Sequence, residues 1–316
     1  MREIIIDKNH MDMRLDRFAL RVLGISKGEI QKGIRTKKIK VNGKKKANNY
    51  RLQEGDIVSF YFSDELFKEE GEETKKGNIG KLDILFENEN VLIVNKNAGI
   101  LSQGNSSGDI SIVDMAKEYL KTSQTGVITR LDRNTSGIVI IGKNRRALML
   151  LNEMSRKNLI EKEYITLVKG KFELEGKITH YGKKGKNKLM LYDREGEGLS
   201  EVSSIFEPIK YFNGYTLLKV NLITGKTHQI RSQIEKLGYG VVGDRKYDLH
   251  NKEKALEKKV GLKRQFLHCG RVVIRCSGEY KEINKEDIEV NCKLSGELER
   301  CVGAAGASVA RTGRQS

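Results

Sequence analysis

Near the middle of the chain, Arg130-Leu131-Asp132-Arg133-Asn134-Thr135-Ser136-Gly137 sets an acid between two guanidiniums, follows it with a Thr-Ser pair and ends on glycine. The run leads directly into Ile138-Val139-Ile140-Ile141-Gly142, whose continuous β-branched residues predict a strand enclosed on both faces. Charged groups beside a buried strand cost free energy unless they are paired. Asp132 is therefore either one partner of a structural ion pair or a reactive carboxylate held ionised, and the residue types alone leave both readings open. The spacings of several other chemistries are missing. There is no G-x-x-x-x-G-K-[ST] phosphate loop, no dinucleotide fingerprint and no set of His and Cys at metal-ligand spacing. The four cysteines, Cys269, Cys276, Cys292 and Cys301, form no Cys-x-x-Cys pair and read as reduced thiols of a cytoplasmic protein.

The elements that must position Asp132 alternate irregularly. Two short apolar runs, Leu82 to Phe86 and Val91 to Asn95, flank Glu87-Asn88-Glu89-Asn90 and predict a hairpin. Helices are predicted over Ile112 to Leu120 and near Arg145 to Arg156, and strands over Glu161 to Gly170 and Thr216 to Leu222. Lysines and glycines between Gly176 and Tyr192 suggest an exposed hairpin, and Thr224-Gly225-Lys226-Thr227-His228-Gln229-Ile230-Arg231 follows the last strand. Strands outnumber helices without regular alternation, which predicts an α+β fold with a mixed, largely antiparallel sheet over residues 82–295.

Charge identifies the partner class. Fifty-nine Lys and Arg against 42 Asp and Glu give a formal net charge of +17. Between Lys32 and Lys46 stand Lys32, Arg35, Lys37, Lys38, Lys40, Lys44, Lys45 and Lys46 with no acid among them. Such a field attracts polyanions and raises their encounter rate. The run lacks the amphipathic helical pattern that an anionic membrane surface would require. No apolar stretch is long enough to span a bilayer, and the first residues do not read as a secretory signal.

The basic run belongs to a small α/β module. Leu15, Phe18, Ala19 and Val22 follow helical spacing that Gly24 can end, and Ser26 with Glu29 forms a capping box for a second helix carrying Ile30 and Ile34. Lys38-Ile39-Lys40-Val41 alternates as a strand does, Asn42-Gly43 is a hairpin turn, and Asp56 to Phe62 is a further strand. Residues 63–81 read as a charged linker. The Ala/Gly/Ser/Arg-rich residues 302–316 read as a disordered or non-native tail.

The order of elements over 13–62, with Arg14-Leu15-Asp16, Lys38 to Gly43 and Leu52 to Asp56, resembles the S4 RNA-binding domain. Arg130 to Gly137 resembles the signature of the RluA-type pseudouridine synthases. Supporting segments follow the same order: Asn90 to Lys96, Lys162-Glu163-Tyr164 through Gly170, Thr224 to Arg231 continuing to Gly243-Asp244-Arg245-Lys246-Tyr247, and Phe266-Leu267-His268. Asn97, Asn134 and Thr129 depart from that pattern, and none of the three removes a group the reaction needs.

The resemblance implies isomerisation of uridine to pseudouridine in RNA, without cofactor or metal. Asp132 corresponds to the family's catalytic aspartate, Arg231 to the arginine that pairs with it, and Tyr164 to the active-site tyrosine able to stack on the base and carry a proton. Extruding a nucleotide from its stack costs a few kcal/mol, and Arg130 corresponds to the residue expected to hold the flipped nucleotide. Lys96 is a candidate contact to phosphate or uracil, or else a solvated turn lysine. His228 and Gln229 are expected to support strand geometry. The S4 resemblance implies that Lys32, Arg35, Lys37, Lys38, Lys40, Lys44 and Lys45 grip structured RNA. Within the family the sequence leans to the RluC-like branch acting on large-subunit (23S) ribosomal RNA or its precursor, by a monomer with neither DNA nor membrane as partner. The alternatives are a synthase acting on transfer RNA and a non-catalytic RNA-binding protein. A nuclease would ordinarily cluster carboxylates for divalent metals, whereas Asp132 is flanked by arginines.

Overall fold

Alternating apolar positions in the first 60 residues fold into a small sheet closed by two helices. The computed structural model describes residues 1–7, 10–23, 25, 27–63, 66–67, 80–104, 109–185, 188–247 and 255–307, and the chain divides into two units, Met1–Asn78 and Ile79–Ser316. The first contains β1 (Arg2–Ile5), α1 (Leu15–Val22), α2 (Lys27–Arg35), β2 (Ile39–Val41) and β3 (Ile57–Phe60), with antiparallel strand order β1-β3-β2. Leu15, Phe18 and Ala19 of α1 meet Ile30 and Ile34 of α2 over Ile39, Val41, Val58 and Phe60 in one core.

The Asn42-Gly43 turn has φ of +50° and +70°, the left-handed pair that a tight hairpin needs. Asp56 locks it. Its buried carboxylate accepts from Asn42 Nδ2 at 2.7 Å, Gln53 N at 2.9 Å and the Tyr50 hydroxyl at 3.1 Å. Two boundaries move relative to the sequence expectation. β1 adds residues ahead of Met13, and Phe67, placed in the linker by composition, is buried in this core and bridges to Leu23. Gly24, Ser26 and residues 68–79 lie outside the described residues.

The second unit is organised by one sheet. Its elements are β4 (Asp83–Glu87), β5 (Val91–Lys96), α3 (Ile112–Leu120), β6 (Gly126–Val127), β7 (Ser136–Gly142), α4 (Arg145–Arg156), β8 (Ile160–Lys169), β9 (Gly176–Lys184), β10 (Leu189–Tyr192), β11 (Ser200–Phe212), β12 (Tyr215–Leu222), α5 (Gln229–Lys236), β13 (Gly240–Val241), α6 (Ala255–Val260), β14 (Leu267–Ile274), β15 (Ile288–Asn291) and α7 (Gly296–Ala307). The strand order is β10-β9-β11-β12-β8-β14-β7-β5-β4, with β13, β15 and β6 pairing β8, β14 and β7. The α+β class and the mixed, largely antiparallel sheet hold. Among the described strands, the parallel pairing is that of β14 with β7, where His268 faces Ser136 and Cys269 faces Gly137.

That junction positions the site. Gly137 has φ +109°, and a Cβ there would stand 2.2 Å from the carbonyl oxygen of Cys269. Only glycine lets β7 approach β14 this closely. On the other side of β14, Cys269 pairs with Tyr164 of β8. The strand that follows the Asp132 loop is thereby tied in register to the strand carrying Tyr164. Every residue of β7 is buried. β8 is covered on both faces: Ile160, Tyr164 and Val168 enter the main core, while Leu167 belongs to a second cluster with Phe266, Leu298, Cys301 and Ala305.

The second cluster corrects the expectation for the C-terminus. Residues 302–307 are the last turns of α7, and Leu298, Cys301 and Ala305 form its buried stripe at helical spacing. Small residues serve there because the helix packs closely. Residues 308–316 lie outside the described residues. No helix among the described residues is long and apolar enough to cross a membrane.

Candidate active site

The Asp132 loop is fixed through its backbone, which leaves the carboxylate free to face a cavity. Ser102 Oγ donates to the Leu131 carbonyl at 2.8 Å and accepts the Leu131 amide at 2.9 Å. The Thr135 amide closes a turn onto the Asp132 carbonyl at 3.0 Å, and the Arg133 carbonyl accepts from the Gly99 amide at 2.8 Å. Buried Arg264 donates to the Asn134 carbonyl at 3.3 Å and to Ser136 Oγ at 3.1 Å, and it pairs with Glu297 of α7. Asp132 itself is half-buried.

Its partner comes from 99 residues further on. Arg231 Nη1 lies 3.3 Å from Asp132 Oδ2. The same guanidinium grips Asp244, with Nε at 2.5 Å and Nη2 at 2.8 Å from its two oxygens, a bidentate arrangement of fixed geometry. The Asp244 side chain is fully buried and also accepts the amides of Lys246 and Tyr247 at 2.8 and 3.1 Å. Burial pushes the Asp244 carboxyl up, but the Arg231 guanidinium and those two amides outweigh it and hold the group below the ordinary carboxylate range. Burial likewise disfavours the Arg231 cation, and the two carboxylates more than offset it. The buried ring of Tyr247 lies under the guanidinium, 4.9 Å from its carbon.

Sequence reasoning missed Asp244 and Tyr247, although the segment Gly243 to Tyr247 was in view. It also set His228 aside. His228 begins α5 with φ +58°, its Nδ1 lies 3.0 Å from the Tyr247 hydroxyl, and its Nε2 lies 3.7 Å from Asp132 Oδ2. Burial lowers the His228 pKa against the pull of Asp132, so the ring is neutral at neutral pH. The expected strand around His228 and Gln229 is a helix start. Gln229 is buried, accepts from the Lys226 amide and donates to the Ser203 carbonyl at 2.9 Å, which anchors α5 to β11.

A cavity of about 520 Å³ opens beside Asp132, lined among others by Arg130, Lys162, Tyr164, Leu222, His228 and Leu267. Its size suits a small planar ligand. Tyr164 is buried, and burial, Cys269 and Asp132 all raise its pKa, so its hydroxyl is protonated at neutral pH. Burial pushes the Cys269 thiol up to about 12. The structure therefore brings Asp132, Tyr164 and Arg231 to one place. Arg130 is exposed at the rim and has no ion-pair partner among the described residues. Arg133 turns away to pair with Asp109. Neither neighbouring guanidinium contacts Asp132 among the described residues, contrary to the picture that adjacency in sequence suggests.

Lys96 requires a correction. It is fully buried, and its ammonium donates to the carbonyls of Asn97 at 3.1 Å, Ile100 at 2.8 Å and Arg133 at 3.1 Å. All three protons are in use, so it is neither a contact to phosphate or uracil nor a solvated lysine. It ties the turn after β5 to the residue next to Asp132. Burial, with Arg264, brings its pKa down to about 7.

In the first unit, Lys32, Arg35, Lys45 and Lys46 line one groove of about 500 Å³ together with Gln31 and Asn48. Lys38 and Lys40 lie over the rings of Phe62 and Tyr61 instead, and Lys37 and Lys44 are exposed. None of the eight is paired with a carboxylate among the described residues.

Comparison with known proteins accords with both units. Residues 13–58 match the S4 domain and residues 90–236 match the RNA pseudouridylate synthase family. A ribosomal large subunit pseudouridine synthase C from Pasteurella multocida is 30% identical, over 95% of this chain and 93% of its own. The protein of the same name from Haemophilus ducreyi is 31% identical, over 83% and 84%. The solved structure of human RNA pseudouridylate synthase domain containing 4 superimposes with a TM-score of 0.57 at 18% identity, over 71% of this chain and 92% of that one, a likeness of fold. With that coverage and identity, the chain belongs to the RNA pseudouridylate synthase family and is a pseudouridine synthase, an isomerase, carrying an N-terminal S4 domain.

Proposed function

We propose that the protein converts uridine to pseudouridine in large-subunit ribosomal RNA, in the cytoplasm, with Asp132 as nucleophile on a flipped-out nucleotide. The observation that carries this reading is the Asp132 carboxylate at a cavity of about 520 Å³, room enough for a flipped nucleotide, with the Arg231–Asp244 pair behind it and Tyr164 in the same lining. The relatives' names supply the RNA class.

Each group has work that the geometry permits. The Asp132 carboxylate gives an electron pair to C1′ as the N1–C1′ pair leaves on the base. After the base turns, C5 bonds to C1′, the carboxylate departs, and the proton lost from C5 balances the one gained at N1. Arg231 is held on its far side by Asp244, so it presents Nη1 to Asp132 in one orientation. Tyr164, with its proton in place, offers a ring face and a hydroxyl to the base. The exposed Arg130, without an ion-pair partner among the described residues, holds the displaced nucleotide or fills the vacated stack. The groove cations Lys32, Arg35, Lys45 and Lys46, with Lys37, Lys38, Lys40 and Lys44 around them, grip the RNA backbone.

The test uses RNA from a strain lacking the gene. A pseudouridine-specific reagent followed by primer extension maps the missing sites, and plasmids supply wild type or Asp132→Asn. Rescue by wild type alone supports the reading. Restoration of every site by the asparagine variant removes Asp132 from the mechanism, and loss of sites from transfer RNA alone removes the ribosomal assignment.

A further inference from the structure

Lys162 lines the cavity with a charge that no group among the described residues balances. Residues two apart on a strand share a face, so Lys162 and Tyr164 of β8 point the same way, and both line the cavity. Among the described residues Lys162 makes no hydrogen bond and no ion pair. The titratable group that acts on it is the buried Cys269 thiol, which is neutral at physiological pH. The other lysine buried close to the Asp132 loop, Lys96, has three carbonyl acceptors. The Lys162 ammonium has lost much of its water, and burial lowers its pKa accordingly. A desolvated cation without a counter-charge costs free energy. Packing of the aliphatic stem alone would be served as well by methionine or leucine.

The cavity chemistry supplies the missing charge. When the N1–C1′ bond breaks, the bonding pair stays on the base, and the negative charge spreads from N1 to the O2 and O4 carbonyl oxygens. Lys162, Tyr164 and Asp132 line the same cavity, so a base released from a sugar held at Asp132 would share that cavity with the Lys162 ammonium.

We infer that Lys162 is a further catalytic residue, whose ammonium stabilises the negative charge of the detached uracil through its ring carbonyls while Asp132 holds C1′. The sugar carbon is then bonded to the carboxylate while the base turns beside a cation that lines the same cavity. A preorganised charge of this kind acts where charge develops and needs no reorganisation at the moment of reaction. The inference rests on the reading that the Asp132 cavity receives the flipped uridine.

The experiment measures single-turnover pseudouridine formation on a ribosomal RNA fragment by the full-length protein, with the fragment's Kd measured separately. Lys162→Met, Lys162→Gln and Lys162→Arg are compared with Asp132→Asn, and melting temperature is recorded for each. Lys162→Met and Lys162→Gln are expected to slow the single-turnover step by about 10²-fold, the loss typical of removing one such electrostatic group. Kd and melting temperature are expected to change little, and Lys162→Arg is expected to recover most of the rate. A rate within about threefold of wild type in both neutral variants overturns the inference. So does a weakened Kd with the single-turnover rate intact, because Lys162 would then grip phosphate. Activity in Asp132→Asn would instead break the site reading on which the inference rests. An inactive Asp132→Asn beside a fully active Lys162→Met would sink the inference alone. Should Lys162→Met melt early, Lys162→Gln and Lys162→Arg decide, since both keep a polar end on a long stem.

Discussion

Asp244→Asn separates the support of the site from its chemistry. The wild-type carboxylate is fully buried, takes two hydrogen bonds from Arg231 and two from backbone amides, and carries the charge that balances a buried guanidinium. In the variant the remaining carbonyl oxygen can keep the amides of Lys246 and Tyr247 and Nη2 of Arg231, but the new NH₂ then faces the Nε donor and the balancing charge is gone. Removing one partner of a buried pair typically costs about 3–5 kcal/mol, because the other charge is left without compensation. Shape is conserved, so the lower half of that range, about 3–4 kcal/mol, is expected. In a unit of this size each kcal/mol moves the melting temperature by about 2–4 °C, which gives a fall of about 6–16 °C. Among the described residues Arg231 then has Asp132 as its one anionic partner, at a half-exposed position. The guanidinium is drawn towards it and the single-turnover rate falls with stability. Asp132→Asn is the contrast: it removes one 3.3 Å contact at a half-exposed position, so it costs no more than about 1 kcal/mol while abolishing turnover. The assays are melting followed by circular dichroism and single-turnover kinetics. An acid limb adds a sign check. The Asp244 pKa is depressed below 3.8, so its contribution is complete above that pH and lost as pH falls through the folded value. The asparagine variant should lack that loss. Stability within about 1 kcal/mol of wild type, or an unaltered acid limb, would refute this account of Asp244.

Three further outcomes are expected. Gly137→Ala must place a Cβ 2.2 Å from the Cys269 carbonyl oxygen at φ +109°, so it should cost more than about 4 kcal/mol and leave the catalytic unit unfolded or inactive, as read by melting and activity. Lys96→Met keeps the volume but strips the donor from three buried carbonyls; a loss of about 3 kcal/mol or more with a slower single-turnover rate is expected from the same assays. Burial lowers the pKa of His180, His228 and His268 below 6.5, so once pH drops beneath about 6.5 the unfolded chain binds protons that the folded chain refuses. Stability should therefore decline from there downward, and a melting temperature that stays level between about pH 7 and pH 5.5 would contradict it.

Much of the fold was legible because local signals and tertiary structure agree. Helix α3 spans Ile112–Leu120 as its apolar spacing suggests, since Ser111 and Asp114 cap it reciprocally. Helix α4 spans Arg145–Arg156 because Asn144 accepts the Ala147 amide at its start. β7 was legible from composition, being a strand buried on both faces. The elements that escaped lack such agreement. β11 alternates poorly, carries Glu201, Glu207 and Lys210, and breaks register between Pro208 and Lys210. The last turns of α7 hide their buried stripe among alanines and glycines, which resemble a tail until Phe266 and Leu167 are seen against them. α5 opens on a left-handed His228, a start signal that no propensity announces.

The site shows where a single sequence stops informing. Asp132, Tyr164 and the pairing of Arg231 with Asp132 could be read from the family's motifs, but the groups that hold Arg231 in place, Asp244 and Tyr247, could not. Two arginines adjoin Asp132 in sequence, yet the turn closed by the Thr135 amide points one to the rim and the other to Asp109. The guanidinium that does reach Asp132 is 99 residues away and is oriented by an aspartate whose own segment offered no hint of its burial. Lys96 is the same lesson reversed, since a lysine beside a strand end usually means solvent, and here three carbonyls converge on it from two loops. Charge near a reacting group is set by which strands are neighbours, and that was decided at Gly137, where β14 and β7 meet in parallel. The glycine of the signature therefore does structural work for the aspartate: without the close approach it allows, Tyr164 and Asp132 would not face one cavity.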